Sequence, residues 1–117
     1  MAGLYNVTID QGADWFLDVT YEDPSGTPIN LQGYTAALQL RSLPNSASAA
    51  LTLTTANGGI EITSGTGLVS IHATAEQTGA IDEGDYVYDL DITAPAPANT
   101  VTRLIQGQAV VSAQVTR

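Results

Sequence analysis

Apolar and polar residues alternate along most of the chain, and a period of two is typical of β-strands that bury one face. The clearest segment spans residues 15–22, where an apolar face alternates with a polar face that carries Asp18 and Glu22. Comparable alternation recurs in residues 36–41, 68–72 and 86–93. The inward faces of these segments predict one shared core, formed by Trp15, Leu17, Val19, Leu38, Leu40, Val69, Ile71, Tyr86, Tyr88, Leu90 and Ile92.

Turn sequences separate the apolar segments, among them Asp23-Pro24-Ser25-Gly26 and Asn57-Gly58-Gly59. Only residues 74–81 have helical character, for about two turns at most. Residues 101–105 and 109–115 predict two closing strands. About eight or nine short strands with such turn spacing are typical of a sandwich or a small barrel. We interpret the chain as all-β, a two-sheet antiparallel β-sandwich forming a single domain over residues 1–117, with at most one short helix.

Charge and composition exclude several classes of partner. Twelve acidic residues against three arginines, with no lysine, give a net charge of −9, and such a chain repels nucleic acid and anionic lipid. No apolar run approaches the roughly 20 residues of a membrane helix, and residues 1–6 do not resemble a signal peptide. With no cysteine, packing alone must hold the fold. We therefore expect a soluble protein with no nucleic-acid or membrane partner.

Catalytic groups are scarce. His72 is the only histidine, and the alternation around it places it on the outer face of a strand. A serine triad needs this histidine, a serine and a carboxylate in one cleft, but no Gly-x-Ser-x-Gly sequence supports one. The glycine-rich turns lack the lysine of a phosphate-binding loop. The sequence therefore predicts no enzyme and no cofactor.

Four carboxylates are the only metal candidates. Asp14 and Asp18 share a face of one predicted strand, and Asp89 and Asp91 share a face of another. If these strands pair, the four groups crowd together, and crowded carboxylates either raise their pKa values or bind a cation such as calcium. Their spacing matches no calcium loop. The favoured interpretation is a solvated acidic face.

The missing lysines leave the sheet edges without their usual protection, which favours coverage of the edges by partners. Two uncharged loops of small residues, 43–50 and 94–99, point to the same kind of contact, because small side chains let backbones approach closely. A plain flexible loop is the alternative for each. The predicted interface residues are Pro44, Ser46, Ala47, Ser48, Ala94, Pro95, Ala96 and Pro97.

Several stretches resemble small virion proteins of tailed bacteriophages: Ile9-Asp10-Gln11-Gly12-Ala13-Asp14-Trp15-Phe16-Leu17, Pro28-Ile29-Asn30-Leu31-Gln32-Gly33-Tyr34, Ala37-Leu38-Gln39-Leu40-Arg41 and Gly84-Asp85-Tyr86-Val87-Tyr88-Asp89-Leu90-Asp91-Ile92. The layout is similar to the N-terminal domains of phage baseplate upper proteins. This resemblance implies an immunoglobulin-like sandwich of about eight strands. It also implies an adaptor or accessory subunit of a virion, assembled in the cytoplasm of a host bacterium.

The leading hypothesis is a non-enzymatic structural subunit of the tail, baseplate or neck, bound to other virion proteins and to copies of itself in a symmetric assembly. A capsid decoration protein is the alternative in the same class. A carbohydrate-binding module, with or without calcium, is the alternative from another class. Specific binding of a sugar would favour the module, whereas neighbouring portal, tail or capsid genes would favour the virion.

Overall fold

The computed structural model describes residues 3–43 and 48–115, which consist mainly of β-strands in two sheets. The first four strands are β1 (Gly3–Leu4), β2 (Val7–Asp10), β3 (Trp15–Thr20) and β4 (Thr35–Arg41). The remaining strands are β5 (Leu51–Thr54), β6 (Ile60–Thr63), β7 (Leu68–Ala73), β8 (Gly84–Thr93) and β9 (Val101–Ser112). A short 3₁₀ turn occupies Ser64–Thr66, and one α-helix, α1, spans Ala75–Gly79. The prediction of a β-rich fold with one short helix is confirmed.

The large sheet has the order β1-β9-β8-β4-β5, with β2 also paired to β9, and the small sheet has the order β3-β7-β6. The β4, β5, β8 and β9 ladders and the whole small sheet are antiparallel. Both β1 and β2, however, pair parallel with β9. The prediction of purely antiparallel pairing is therefore wrong at this edge. These strands come from opposite ends of the described chain, so no tight hairpin forces them to be antiparallel.

Two segment boundaries differ from the sequence prediction because of Gly107. The predicted break between two closing strands is absent, and β9 runs without interruption through this glycine. A Cβ atom built on Gly107 would lie 2.3 Å from the carbonyl oxygen of Tyr5. The partly alternating residues 4–9 predict one first strand. The missing side chain of Gly107 instead admits the backbone of Tyr5, which lies between β1 and β2. The hydroxyl of Tyr88 donates a hydrogen bond to the same Tyr5 carbonyl.

One apolar cluster joins the two sheets. It contains buried residues of the large sheet, such as Leu38, Leu53 and Leu90, and buried residues of the small sheet, Val69 and Ile71. Each such side chain stabilises the fold by about 1.5–3 kcal/mol when fully buried. All the predicted core residues lie in this cluster or pack against it; the half-buried ones are Trp15, Leu17, Val19 and Tyr86.

The predicted helix is confirmed, with shorter bounds. Thr74 and Gln77 form a capping box at its start, in which each side chain accepts a hydrogen bond from the other residue's backbone N–H. Thr78 is fully buried, and its hydroxyl donates to the Ala13 carbonyl (2.8 Å) and accepts from the Gly12 N–H (3.1 Å). These bonds fix the turn before β3 against the helix. None of the helical segments in the described ranges has the length and apolarity to cross a membrane.

Candidate functional site

An exposed aromatic pair marks the outer face of the small sheet. The β3–β7 register places Phe16 directly opposite His72, and their rings stack with centroids 4.4 Å apart and planes 10° apart. Phe16 is 66% exposed, whereas the other face of β3 packs on the core. A large apolar side chain on a polar strand face is therefore held in a fixed orientation at the surface.

The Asp14 carboxylate contacts the ring of His72 and the start of the helix. Its Oδ2 atom lies 3.2 Å from Nε2 of His72, and its Oδ1 atom accepts a hydrogen bond from the Ala75 N–H at 2.7 Å. The side chains of His72 and Asp14 are 42% and 49% exposed. The prediction of an outward-facing His72 is confirmed. This pair joins β7, α1 and the turn before β3 at the surface.

The backbone N–H and C=O of Phe16 point away from β7, towards the outer side of β3. The His72 N–H donates to the Gly59 carbonyl, which precedes β6, so the backbone of His72 faces away from β3. In an antiparallel pair, the residue opposite such a position also directs its N–H and C=O outward. Phe16 and Asp18 therefore present their backbone groups at the side of β3 that has no partner strand within residues 3–43 and 48–115. We call this side of β3, over Phe16–Thr20, the open edge.

The edge of β5 is closed by a side chain instead. Asn57 folds back so that its Nδ2 donates to the Thr52 carbonyl (3.0 Å) and its Oδ1 accepts from the Thr54 N–H (2.9 Å). The same Oδ1 accepts from the Gly59 N–H. A carbonyl and an N–H two residues apart are the groups that an added strand would use. We call this side of β5 the capped edge.

The outer face of the large sheet holds a polar groove of about 530 Å³. Arg103 Nε lies 3.4 Å from Asp89 Oδ2 and 3.7 Å from Asp91 Oδ1, and Gln39 Oε1 accepts a hydrogen bond from Arg41. Asp91 Oδ1 is buried and has no hydrogen-bond partner in the described part of the chain. Burial, and secondarily the neighbouring Asp89, raise the pKa of Asp91, while Arg103 opposes the shift. The carboxylates of this face are thus balanced by arginine.

The predicted four-carboxylate cluster does not form. Asp18 lies on β3 in the small sheet, whereas Asp89 and Asp91 lie on β8 in the large sheet, and these strands do not pair. Asp14 is bound to His72 and the helix. Across the ranges the structure describes, no three acidic or histidine side chains come together as a metal site would require. The condition on which the calcium hypothesis depended is not met.

Of the two predicted interface loops, the structure describes residues 94–99 in full but only part of residues 43–50. Pro44, Ser46 and Ala47 lie outside the described residues, and Ser48 is exposed. In the other loop, Ala94 is half-buried and its N–H donates to the Thr100 carbonyl (2.8 Å), which closes the β8–β9 turn. Pro95, Ala96 and Pro97 are exposed. Their part in an interface stays a prediction.

Sequence reasoning missed the two residues that distinguish the edges. The alternation of residues 15–22 puts Phe16 on the polar face of its strand, and an aromatic residue among Asp14, Asp18 and Thr20 is the signal that could have identified it. Asn57 was interpreted only as part of a turn. No protein-family model and no curated protein matches the chain. Function is therefore inferred from the two edges and the two sheet faces.

Proposed function

We propose that this chain is a non-enzymatic structural or accessory subunit of a tailed-phage virion, which acts through contacts with other proteins of the particle. The observation that carries the proposal is the open edge of β3, where exposed Phe16 adjoins backbone groups without a partner strand in the described ranges. Such an edge offers main-chain hydrogen bonds, and an exposed aromatic side chain supplies apolar contact area. A subunit that docks in many copies gains strength from multivalency.

The immunoglobulin-like architecture implied by the resemblance is part of the proposal. Three features support it, and the first two are topological: β2 lies parallel to β9, and the other sheet has the order β3-β7-β6. The hydroxyl of Tyr86, near the start of β8, also donates to the Asp82 carbonyl at 2.7 Å. A tyrosine that bonds back to the backbone at the corner before the penultimate strand is a recurrent feature of such sandwiches.

Purified particles test the proposal. Quantitative mass spectrometry of phage from a host that carries the gene should detect the chain in a fixed number of copies for each particle. Absence of the chain from purified particles would overturn the proposal. Immunogold labelling of the same particles separates the tail, baseplate or neck position from the alternative of capsid decoration.

The polar groove keeps the carbohydrate-binding module as a second candidate. Asp89, Asp91 and Gln39 line it, and carboxylate, amide and guanidinium groups are those that recognise sugar hydroxyls. The Asp91 side chain as a whole is 34% exposed, so the accessible part of its carboxylate can accept a hydrogen bond from a sugar hydroxyl. A glycan array followed by calorimetry tests this function: binding that is lost in Asp91→Asn supports the module, and no binding to any glycan counts against it.

A further inference from the structure

The open edge differs from the rest of the surface in its charge. The strands of the small sheet and the residues beside β3 carry Asp14, Asp18, Glu22 and Glu61, and they carry no lysine or arginine. Arg41 and Arg103 lie on the large sheet, where Arg103 faces Asp89 and Asp91 and also lines a cleft beside Val19–Asp23, at the end of the open edge. Asp18 makes no ion pair within the described ranges. Around Asp18, the open edge therefore carries uncompensated negative charge beside outward-facing main-chain groups.

We propose that the open edge of β3 binds an extended, positively charged segment of a partner protein, which pairs with Phe16–Thr20 as an added strand. This inference rests on the proposed function and names the partner of the same site. Because residues of a strand alternate in direction, the segment has basic side chains opposite Asp18 on the outer face. Its alternate side chains are apolar, since they adjoin the half-buried Leu17 and Val19.

A second copy of this chain is the less suitable occupant. Each copy carries a net charge of −9, so two open edges that approach one another bring together their Asp18 carboxylates and the surrounding negative charge. Like charges placed opposite each other on paired strands are destabilising. A basic segment instead gains electrostatic attraction and a faster rate of association at low salt.

A cleft with a mostly polar lining lies at the end of the open edge. The cleft, of about 390 Å³, lies between Val19–Asp23 and Thr102–Ile105. The half-buried Tyr21 and Leu104 line this cleft together with the charged residues Glu22, Asp23 and Arg103. A strand that continues along β3 towards Tyr21 passes beside the cleft, where its side chain would meet both the acidic residues and Arg103.

A short capped peptide of alternating lysine and valine serves as the probe, with its glutamate and valine counterpart as the control. In the wild-type chain, bound lysine peptide should slow hydrogen exchange at the Phe16 and Asp18 amides, which point outward. It should leave the Leu17 amide unchanged, because that amide already faces β7. Protection that appears with the glutamate peptide alone, or with neither peptide, overturns the inference. No variant is needed for this readout.

Two substitutions at one position separate charge from backbone pairing. Asp18→Asn keeps the edge N–H and should weaken binding about two- to fivefold, as expected for one exposed ion pair. Asp18→Pro removes that N–H and should abolish the added strand. An edge strand tolerates this proline because the lost N–H points away from β7. Asp85→Asn, on β8 of the large sheet, should change nothing. Unchanged affinity in a folded Asp18→Pro variant overturns the inference, as does concentration-dependent dimerisation of the chain that this variant abolishes.

The inference and the proposed function fail in different ways. If Asp18→Pro still enters particles at the wild-type copy number and the peptide protects no edge amide, the basic-strand inference is wrong and the virion proposal stands. If the wild-type chain is absent from particles, the virion proposal is wrong whatever the peptide does.

Discussion

The capped edge of β5 and the open edge of β3 both have backbone N–H and C=O groups without a partner strand in the described ranges, and the two edges differ in how these groups are covered. On β5, Asn57 occupies the Thr52 carbonyl and the Thr54 N–H with its own amide. On β3, the outward groups of Phe16 and Asp18 have no such cover in the described part of the chain, and an aromatic side chain stands beside them. A chain without lysine can thus close an edge by a local turn. β6 is also an edge strand of the small sheet, so what distinguishes β3 is the exposed Phe16 beside its outward backbone groups.

Burial of the two edge strands differs as well. The inward residues of β5, Leu51 and Leu53, are buried, whereas those of β3, including Leu17, are half-buried. The inward side chains of β5 therefore lie within the core, and those of β3 lie at the margin of the core. A strand that gains a partner would complete the burial of that margin.

The largest expected effect comes from matched leucine truncations. Leu53→Ala should lower the free energy of unfolding by about 2–5 kcal/mol, the cost of a cavity at a fully buried site. Leu17→Ala should cost about 1–2 kcal/mol, because its side chain is only half-buried. Urea denaturation of both variants measures the difference. Equal losses would show that the two edges are equally part of the core.

Removal of the cap should open the second edge. Asn57→Ala loses the three hydrogen bonds of its side chain, and we expect a loss of about 1–2 kcal/mol together with concentration-dependent association measured by light scattering. Asn30→Ala is the control, since Asn30 Oδ1 accepts only a local bond from the Gln32 N–H, away from any strand edge. An Asn57→Ala variant that stays monomeric at all concentrations would show that the cap does not protect β5.

The smallest expected effect distinguishes the turns that follow the two edge strands. After β3, the Asp23 carboxylate accepts bonds from the Ser25 hydroxyl and from the Ser25 and Thr27 N–H groups. These bonds, that of the Ser25 hydroxyl first, lower the pKa of Asp23 below 3.8. Their stabilisation is therefore present above pH 3.8 and is lost as the pH falls through the lowered pKa.

Hydrogen exchange at low pH measures this difference. The Ser25 and Thr27 amides should lose protection in acid, whereas the Thr54 and Gly59 amides should keep theirs, because Asn57 does not titrate. Asp23→Asn should remove the acid-dependent change while keeping the turn. Equal loss of protection at both turns would indicate general acid unfolding instead.

Much of the fold could be predicted because apolar and polar residues alternate along its strands. The inward phases of β4 and β8 follow directly from period two, and the capping box at Thr74 and Gln77 marks the helix start. The parallel pairing of β2 with β9 could not be predicted, since it depends on contacts between distant parts of the chain. The strand break predicted around Gly107 was wrong for a similar reason. A glycine is needed there because the Tyr5 backbone packs against it, and that contact is between distant parts of the chain.

The candidate site was harder to predict than the fold. The acidic face was visible from composition, but its division between an arginine-balanced large sheet and an uncompensated small sheet depends on which strands share a sheet. The same topology separates Asp18 from Asp89 and excludes the predicted carboxylate cluster. The alternation of apolar and polar residues predicts which face of a sheet a residue lies on. It does not predict which residues lie beside it, because that depends on which strands pair.

The parallel β2–β9 ladder also determines how the domain responds to mechanical force. Val7 lies beside Ala109 at one end of the ladder, and Asp10 lies beside Ser112 at the other. A pull that enters before Val7 and leaves after Ser112 acts on opposite ends of the two strands, so their hydrogen bonds are loaded together in shear. An antiparallel hairpin pulled at its open end would release its bonds one at a time. The β2–β9 ladder is therefore expected to resist a pull of this direction more strongly than such a hairpin would.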